Sequence, residues 1–399
     1  MPSCRLLRSL VIALTLMPSS APAHDPSAWG GLFRSGDGGA TWRPLSSGSF
    51  VSGALALAVS PRDPRELLLA TESGLLHSQN GGREWAVEAA HVLFGPMFAA
   101  AYDQEGRGAL VSAASAIYRR DPTGWHPISA PAGSVPARAL VAGATPGRVY
   151  LTGDAGVFRS DDWGTAWTRG GDGLPEAPAT ALAVAPGPPE IVYAIAGGQL
   201  WAAVGGTWRW QPRDAGLPSG RIEALALPRD DPGRVWVVAA GQVFRSDARV
   251  ERWEPIGGPL PERDTAVRGI AVAGPMIVVS TDRGLYRHRE ARWELVDEGV
   301  PAHLEAGPLV QDLATPSTLY AGFALTPYEA LRRQAADGAS PLGRLSMASL
   351  AGGAAFLGLL GLSALTALRW VTRTYYREAR HAPSDRRRAR AAPPGDTPR

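Results

Sequence analysis

The 399-residue chain contains no lysine; all 40 of its basic residues are arginine. A phosphate-binding G-x-x-x-x-G-K-[ST] loop is therefore excluded, and the arginine bias reads as the mark of a GC-rich bacterial genome. There is one cysteine, Cys4. It lies in a segment expected to be removed, so disulfides, thiol chemistry and cysteine metal sites are excluded from the mature protein. The seven histidines (His24, His77, His91, His126, His288, His303 and His381) are scattered, with no H-x-x-x-H pair. Neither a metal nor any other cofactor is expected. Charged residues make up only 19%, and hydrophobic ones reach 45%, too many for a disordered chain. Glycine (47) and proline (35) are abundant, but without the strict period of a collagen. No sustained helical period precedes residue 324, which leaves an all-β chain.

Both ends are written for a membrane. Arg5 and Arg8, the apolar run LVIALTLM at 10–17 and the small residues Ala21-Pro22-Ala23 predict a signal peptide over 1–23. Residues 345–368, LSMASLAGGAAFLGLLGLSALTAL, carry no charge and are long enough to span a bilayer as one helix. From Arg369 onward nine arginines face three acidic residues. The positive-inside rule then predicts a basic cytoplasmic tail over 369–399 and an exported domain over 24–323, joined to the span by a linker over 324–344. Pro327 is placed to start a short helix, YEALRRQAAD, in that linker. The expected location is a bacterial inner membrane with the domain in the periplasm or outside. The run Arg386-Arg387-Arg388-Ala389-Arg390 is read as a topology signal, and no nucleic-acid partner is expected.

Between these ends the chain repeats. The phrases GLFRS (31–35), GLLHS (74–78), AIYRR (116–120), GVFRS (156–160), QLWAA (199–203), QVFRS (242–246) and GLYRH (284–288) recur about every 42 residues, each followed by a tryptophan. Such a period built from short apolar runs and Gly, Pro, Asp or Asn turns predicts a β-propeller with four strands per blade. Inner strand pairs begin near Ala54, Phe98, Ala137, Thr180, Ile222, Val267 and Val310. The first outer pair has no inner pair before it, and the last inner pair has no outer pair after it. Joining them predicts seven blades, one of them shared by the two ends, and this closure removes the exposed edges that two unjoined half-blades would leave to aggregate.

Three turns between outer strands, SGDGGATW (35–42), SQNGGREW (78–85) and SDDWGTAW (160–167), fit S-x-[DN]-x-G-x-x-W. They resemble the Asp-box of BNR-type propellers, a group that includes sialidase-like, sortilin-like and photosystem-assembly-factor-like proteins. The match covers roughly residues 29 to 323. Its residues, Ser35, Asp37, Gly39 and Trp42, Ser78, Asn80, Gly82 and Trp85, and Ser160, Asp162, Gly164 and Trp167, are assigned a structural role. The side-chain oxygens accept backbone N–H bonds inside the turn, the glycines permit positive φ and the tryptophans pack between blades. In the resembling families the box lies on the face opposite the usual active site.

No catalytic set is legible. A sialidase resemblance implies an Arg-Ile-Pro near the first strand; FRSG (33–36) stands there instead. Candidate carboxylates such as Asp103, Glu223 and Asp312 are far apart in sequence. A column at the start of the inner strands, Leu55, Arg138, Thr180, Glu223, Arg268 and Gln311, followed by Asp312, is expected at one mouth of the central channel. Arg138, Glu223, Arg268, Gln311 and Asp312 are its candidate binding residues, with a self-paired rim as the favoured alternative. The expected function is a non-enzymatic interaction scaffold for a membrane or periplasmic protein, in the manner of an assembly factor. A glycan-binding or glycoside-hydrolase propeller is the alternative, and a sensor acting through the span a third.

Overall fold

The computed structural model describes residues 30–338, except 46–50, 52, 205–206, 232, 248–251 and 263, together with 358 and 361–370. The expected signal peptide lies outside the described residues, as do most of the apolar segment 345–368 and the tail from 371 onward. Residues 361–370 are helical, with Leu362, Leu365, Leu368 and Trp370 exposed. Among the described residues no helix is long and apolar enough to cross a membrane.

The described strands form seven four-stranded antiparallel sheets. Six are continuous in sequence, with inner strands Ala54–Val59, Met97–Tyr102, Ala139–Ala142, Ala179–Ala185, Ile222–Ala226 and Val267–Ala273. These define blades 1 to 6. Blade 7 is built from both ends of the domain. Its two inner strands, Glu305–Gln311 and Leu319–Ala324, come from the C-terminal side, and its two outer strands, Gly31–Ser35 and Arg43–Pro44, from the N-terminal side. The seam is antiparallel, with Gly31 opposite Phe323 and Ser35 opposite Leu319. Phe33 packs edge-on against Phe323 at 5.2 Å between ring centroids. Residues 31–324 are thus a seven-bladed propeller closed by the two ends of that domain.

The second strands of the blades, such as LLLAT at Leu67–Thr71 and RVWVVA at Arg234–Ala239, are buried almost throughout. A strand covered on both faces reads as an apolar run, and here each face meets a neighbouring blade. One such interface joins Phe33, Trp42 and Leu319 of blade 7 to Val278 and Leu285 of blade 6.

The Asp-box turns supply local order on the outer rim. Ser35 Oγ accepts from the N–H of Gly39 at 2.8 Å and donates to Asp37, whose carboxylate accepts from the N–H of Thr41 at 2.9 Å. Ser78 and Asn80 repeat this with Gly82 and Glu84, and Ser160 and Asp162 with Gly164 and Ala166. Gly39 and Gly164 have φ of +99° and +88°, and a Cβ would stand 2.4 Å from Val278 and 2.6 Å from Ile128. Each turn is also stapled to the loop after an inner strand of its own blade: Gly38, Gly81 and Trp163 donate to Ser317, Arg65 and Gly147. The boxes therefore share one face with the ends of the inner strands, called the rear face here. The inner strands begin on the front face.

Candidate functional site

The inner strand of each blade is a sheet edge facing the central axis. Near its front end the pairing register slips by one residue in six of the seven blades: between Ala54 and Ala56, Met97 and Ala99, Ala179 and Ala181, Ile222 and Ala224, Val267 and Gly269, and Ala306 and Leu309. A bulge re-aims the extra residue. The bulged positions are Leu55, Phe98, Thr180, Glu223 and Arg268, and Arg138 precedes Ala139 at the matching place in blade 3. The structure therefore brings Arg138, Glu223 and Arg268 to the front mouth.

Gln311 and Asp312 are not there. The inner strand of blade 7 starts at Glu305, not near Val310, and its bulge holds Gly307 and Pro308. That register moves Gln311 to the opposite end, on the rear mouth. There its side chain accepts from Arg229 N at 2.8 Å and donates to the carbonyls of Pro316 and Val272. Asp312 is buried and accepts from the N–H groups of Ala314 and Thr315 within its own turn. Its role is structural.

The front mouth is filled by the chain itself. Residues 324–344, expected as a linker, begin with the end of the last strand and then form helix α1, Tyr328–Ala336. Glu329 takes a two-pronged bond from the Arg138 guanidinium, the second arm at 3.2 Å. Arg332, only 2% exposed, donates to Asp154 at 2.9 Å and to the carbonyl of Pro136 at 2.6 Å. Glu305 accepts from the N–H of Tyr328 at 3.0 Å and lies 3.2 Å from Arg268. Glu72, on blade 1, holds Thr326 through both its N–H and its hydroxyl. The Tyr328 ring meets Phe98 edge-on at 6.0 Å, and its hydroxyl feels both Arg138 of blade 3 and Arg268 of blade 6. Those blades stand on opposite sides of the ring, so Tyr328 sits near the axis.

Electrostatics at this mouth follow from burial. Burial raises the Tyr328 phenol to about 12, partly offset by the nearby arginines. Burial also pulls the Arg138 guanidinium down and the Glu329 carboxyl up, but their mutual bond outweighs it, leaving Arg138 raised and Glu329 lowered. Glu223 has no such partner. Burial raises its carboxyl, opposed by the N–H of Gly241 at 3.2 Å and the field of Arg221. Tyr328 Oη and Thr180 Oγ1 are buried with no hydrogen-bond partner among the described residues.

Behind this plug lies a cavity of about 870 Å³ that opens on the rear face. All seven inner strands line it, mostly with Ala, Leu, Val and Ile, and among the described residues its one lining carboxylate is Asp103. Asp103 is occupied by the N–H groups of Arg107 and Gly108. Gln104, also on the rim, donates to the carbonyl of Gly143. Arg229 is the one cation lining the cavity. Its side chain reaches solvent through the lumen yet is walled in by protein, and desolvation lowers its pKa. Among the described residues its guanidinium has no hydrogen bond and no ion pair.

Sequence reasoning missed Arg229, α1 as a plug, and the carboxylates Glu305 and Glu329. No signal in the sequence set Arg229 apart, since its turn is shared by Arg62, which does not line the cavity. Arg229 stands in the turn PRDD (228–231) after the inner strand of blade 5, and the turn after the inner strand of blade 1 is PRDP (61–64). Among the large apolar residues of the loop segment HVLFGPMF (91–98), Phe94 is exposed, at 77%, while Leu93, Met97 and Phe98 are buried.

No family profile matches the chain, and neither does any curated protein. Solved structures share its fold. YCF48 from Cyanidioschyzon merolae aligns with a TM-score of 0.52 at 14% identity, over 68% of this chain and 96% of that one. A structure of YCF48 bound to D1 peptide aligns with a TM-score of 0.50 at 16% identity, over 69% and 94%. The GH74 xyloglucanase from Xanthomonas campestris aligns with a TM-score of 0.53 at 19% identity, over 68% of this chain but only 51% of that enzyme. At these identities the likeness is one of architecture, and it extends to YCF48 and to the GH74 xyloglucanase alike.

Proposed function

We propose that this chain is a non-enzymatic, exported propeller that binds a partner polypeptide and is tethered to a membrane by residues 345–368. The observation that carries this reading is the pairing of a plugged front mouth with an open rear cavity that lacks a carboxylate pair. Glycoside hydrolysis needs two carboxyl groups flanking one bond. The rear cavity offers Asp103 alone, and its carboxylate is already bonded to two N–H groups. YCF48, a propeller of the same architecture, has been seen with a peptide bound. That likeness supports a polypeptide ligand here and a role in assembling or stabilising a membrane or periplasmic protein. The uncharged 24-residue stretch and the arginine-rich tail support the tether.

Crosslinking in native membranes followed by mass spectrometry tests the reading. Recovery of a discrete protein crosslinked to the propeller is expected. Absence of any crosslinked protein, with the propeller itself recovered in quantity, sinks it.

A further inference from the structure

The rear cavity has three features that together describe a ligand. Its walls are the free edges of seven strands. Such edges are templates for pairing with another chain. A purely hydrocarbon ligand would cover these edges without bonding to them, which is costly; a polypeptide backbone can pair with them. Second, the side chains between the edges are small or aliphatic, including Ala58, Leu140, Leu182 and Ile270, so the ligand's own side chains should be uncharged inside the cavity. Third, the Arg229 guanidinium at the rear mouth has no ion pair among the described residues, while the neighbouring polar groups Asp103, Gln104, Asp230 and Gln311 are already bonded within the protein.

The depth of the cavity sets the length. Blades 1 to 5 each contribute a run of about five lining positions, such as 57–61 or 225–229, and a strand rises about 3.3 Å per residue, so the cavity is roughly 16 Å deep. With α1 across the far end, an extended segment enters by its end and stops.

We propose that the rear cavity is a docking site for the end of an extended polypeptide, about five uncharged residues long, with an acidic side chain at the point where it leaves the mouth beside Arg229. The acidic group completes a charge-assisted bond that the chain itself does not supply. This proposal rests on the polypeptide-binding reading above and deepens it. The front-mouth residues Arg138, Glu223 and Arg268 take no part.

Selection from a displayed library of random peptides with free ends, on the full-length protein in detergent, tests it. The expected winners carry Asp or Glu at a fixed distance from one end, with uncharged residues between. The best of these, made synthetically with a fluorescent label, should bind Arg229→Glu at least about tenfold more weakly than the unchanged protein. Its Glu-to-Lys counterpart should bind Arg229→Glu better than it binds the unchanged protein. Among the described residues the Arg229 guanidinium makes no hydrogen bond or ion pair, so the fold should survive the substitution, and an unchanged melting temperature of the variant checks this. Winners without an acidic preference, or binding indifferent to Arg229→Glu, overturn the proposal, as does a library that yields no winners. Membrane crosslinks that persist in Arg229→Glu would then show a partner held elsewhere, leaving the wider reading standing without this site.

Discussion

Arg332 donates to both carboxylate oxygens of Asp154, at 2.9 and 3.1 Å, from a helix 178 positions further along the chain. Buried this deeply, its guanidinium needs partners, and Asp154 and the Pro136 carbonyl supply them. It ties the segment after the last strand to the front of blade 3.

Arg332→Ala should therefore release α1 while leaving the blades assembled. Loss of charge-assisted bonds at a half-exposed partner predicts a cost of about 2 kcal/mol. The check is limited proteolysis, with new cleavage confined to residues 325–338, beside a denaturation curve. Cleavage spread over the blades would show that α1 is not a separately docked element.

Tyr328→Phe should have the opposite sign. The hydroxyl is buried with no partner among the described residues, and removing an unsatisfied buried polar group leaves stability unchanged or improves it by about 1 kcal/mol. Urea denaturation measures this; a loss above 1 kcal/mol would reveal a partner for the hydroxyl.

Phe33→Ala strikes the seam of blade 7. Phe33 is 1% exposed and faces Phe323. Truncating a buried phenylalanine costs about 3–5 kcal/mol. Here it also frees two sheet edges, so concentration-dependent aggregation should accompany the lower melting temperature, as light scattering would record.

Acid should loosen the Asp-box turns. The Ala166 N–H bond lowers the Asp162 carboxyl, outweighing a small desolvation cost, and Asp37 is lowered by its Thr41 and Ser35 bonds despite a larger one. Both folded values lie below the unfolded value of 3.8. Their contribution is therefore present above pH 3.8 and lost as pH falls through the folded values. Glu223 runs the other way. Its folded value lies above 4.5, so ionisation costs stability at neutral pH and Glu223→Gln should raise it. Melting curves of Asp162→Asn and Glu223→Gln across pH 3 to 7 separate the two: the first should flatten the acid loss, the second should gain most at pH 7.

The ring was legible in the sequence because each blade is a local unit. The recurring GLFRS-like phrase, its tryptophan and the Ser-Asp/Asn-Gly turns all lie within one period, and the unmatched pairs at 31 and 309 foretold the shared blade. The last inner strand was misplaced because Gly307 and Pro308 break its apolar alternation and read as a turn, when they occupy the bulge. The plug was hidden for a different reason. Arg138 and Glu329 meet across 191 positions, and nothing local marks either residue as the other's partner. Arg229 resembled any polar turn residue until the lumen around it was seen.

The seam also fixes how the domain answers to mechanical load. Gly31 lies opposite Phe323, so both flanking segments depart from the same edge of one blade. Tension between them opens the seam rung by rung, as a zip opens, and does not slide the strands past each other. A pull on the two ends would first strip α1 from blades 1 and 3 and would then breach the ring at this one seam.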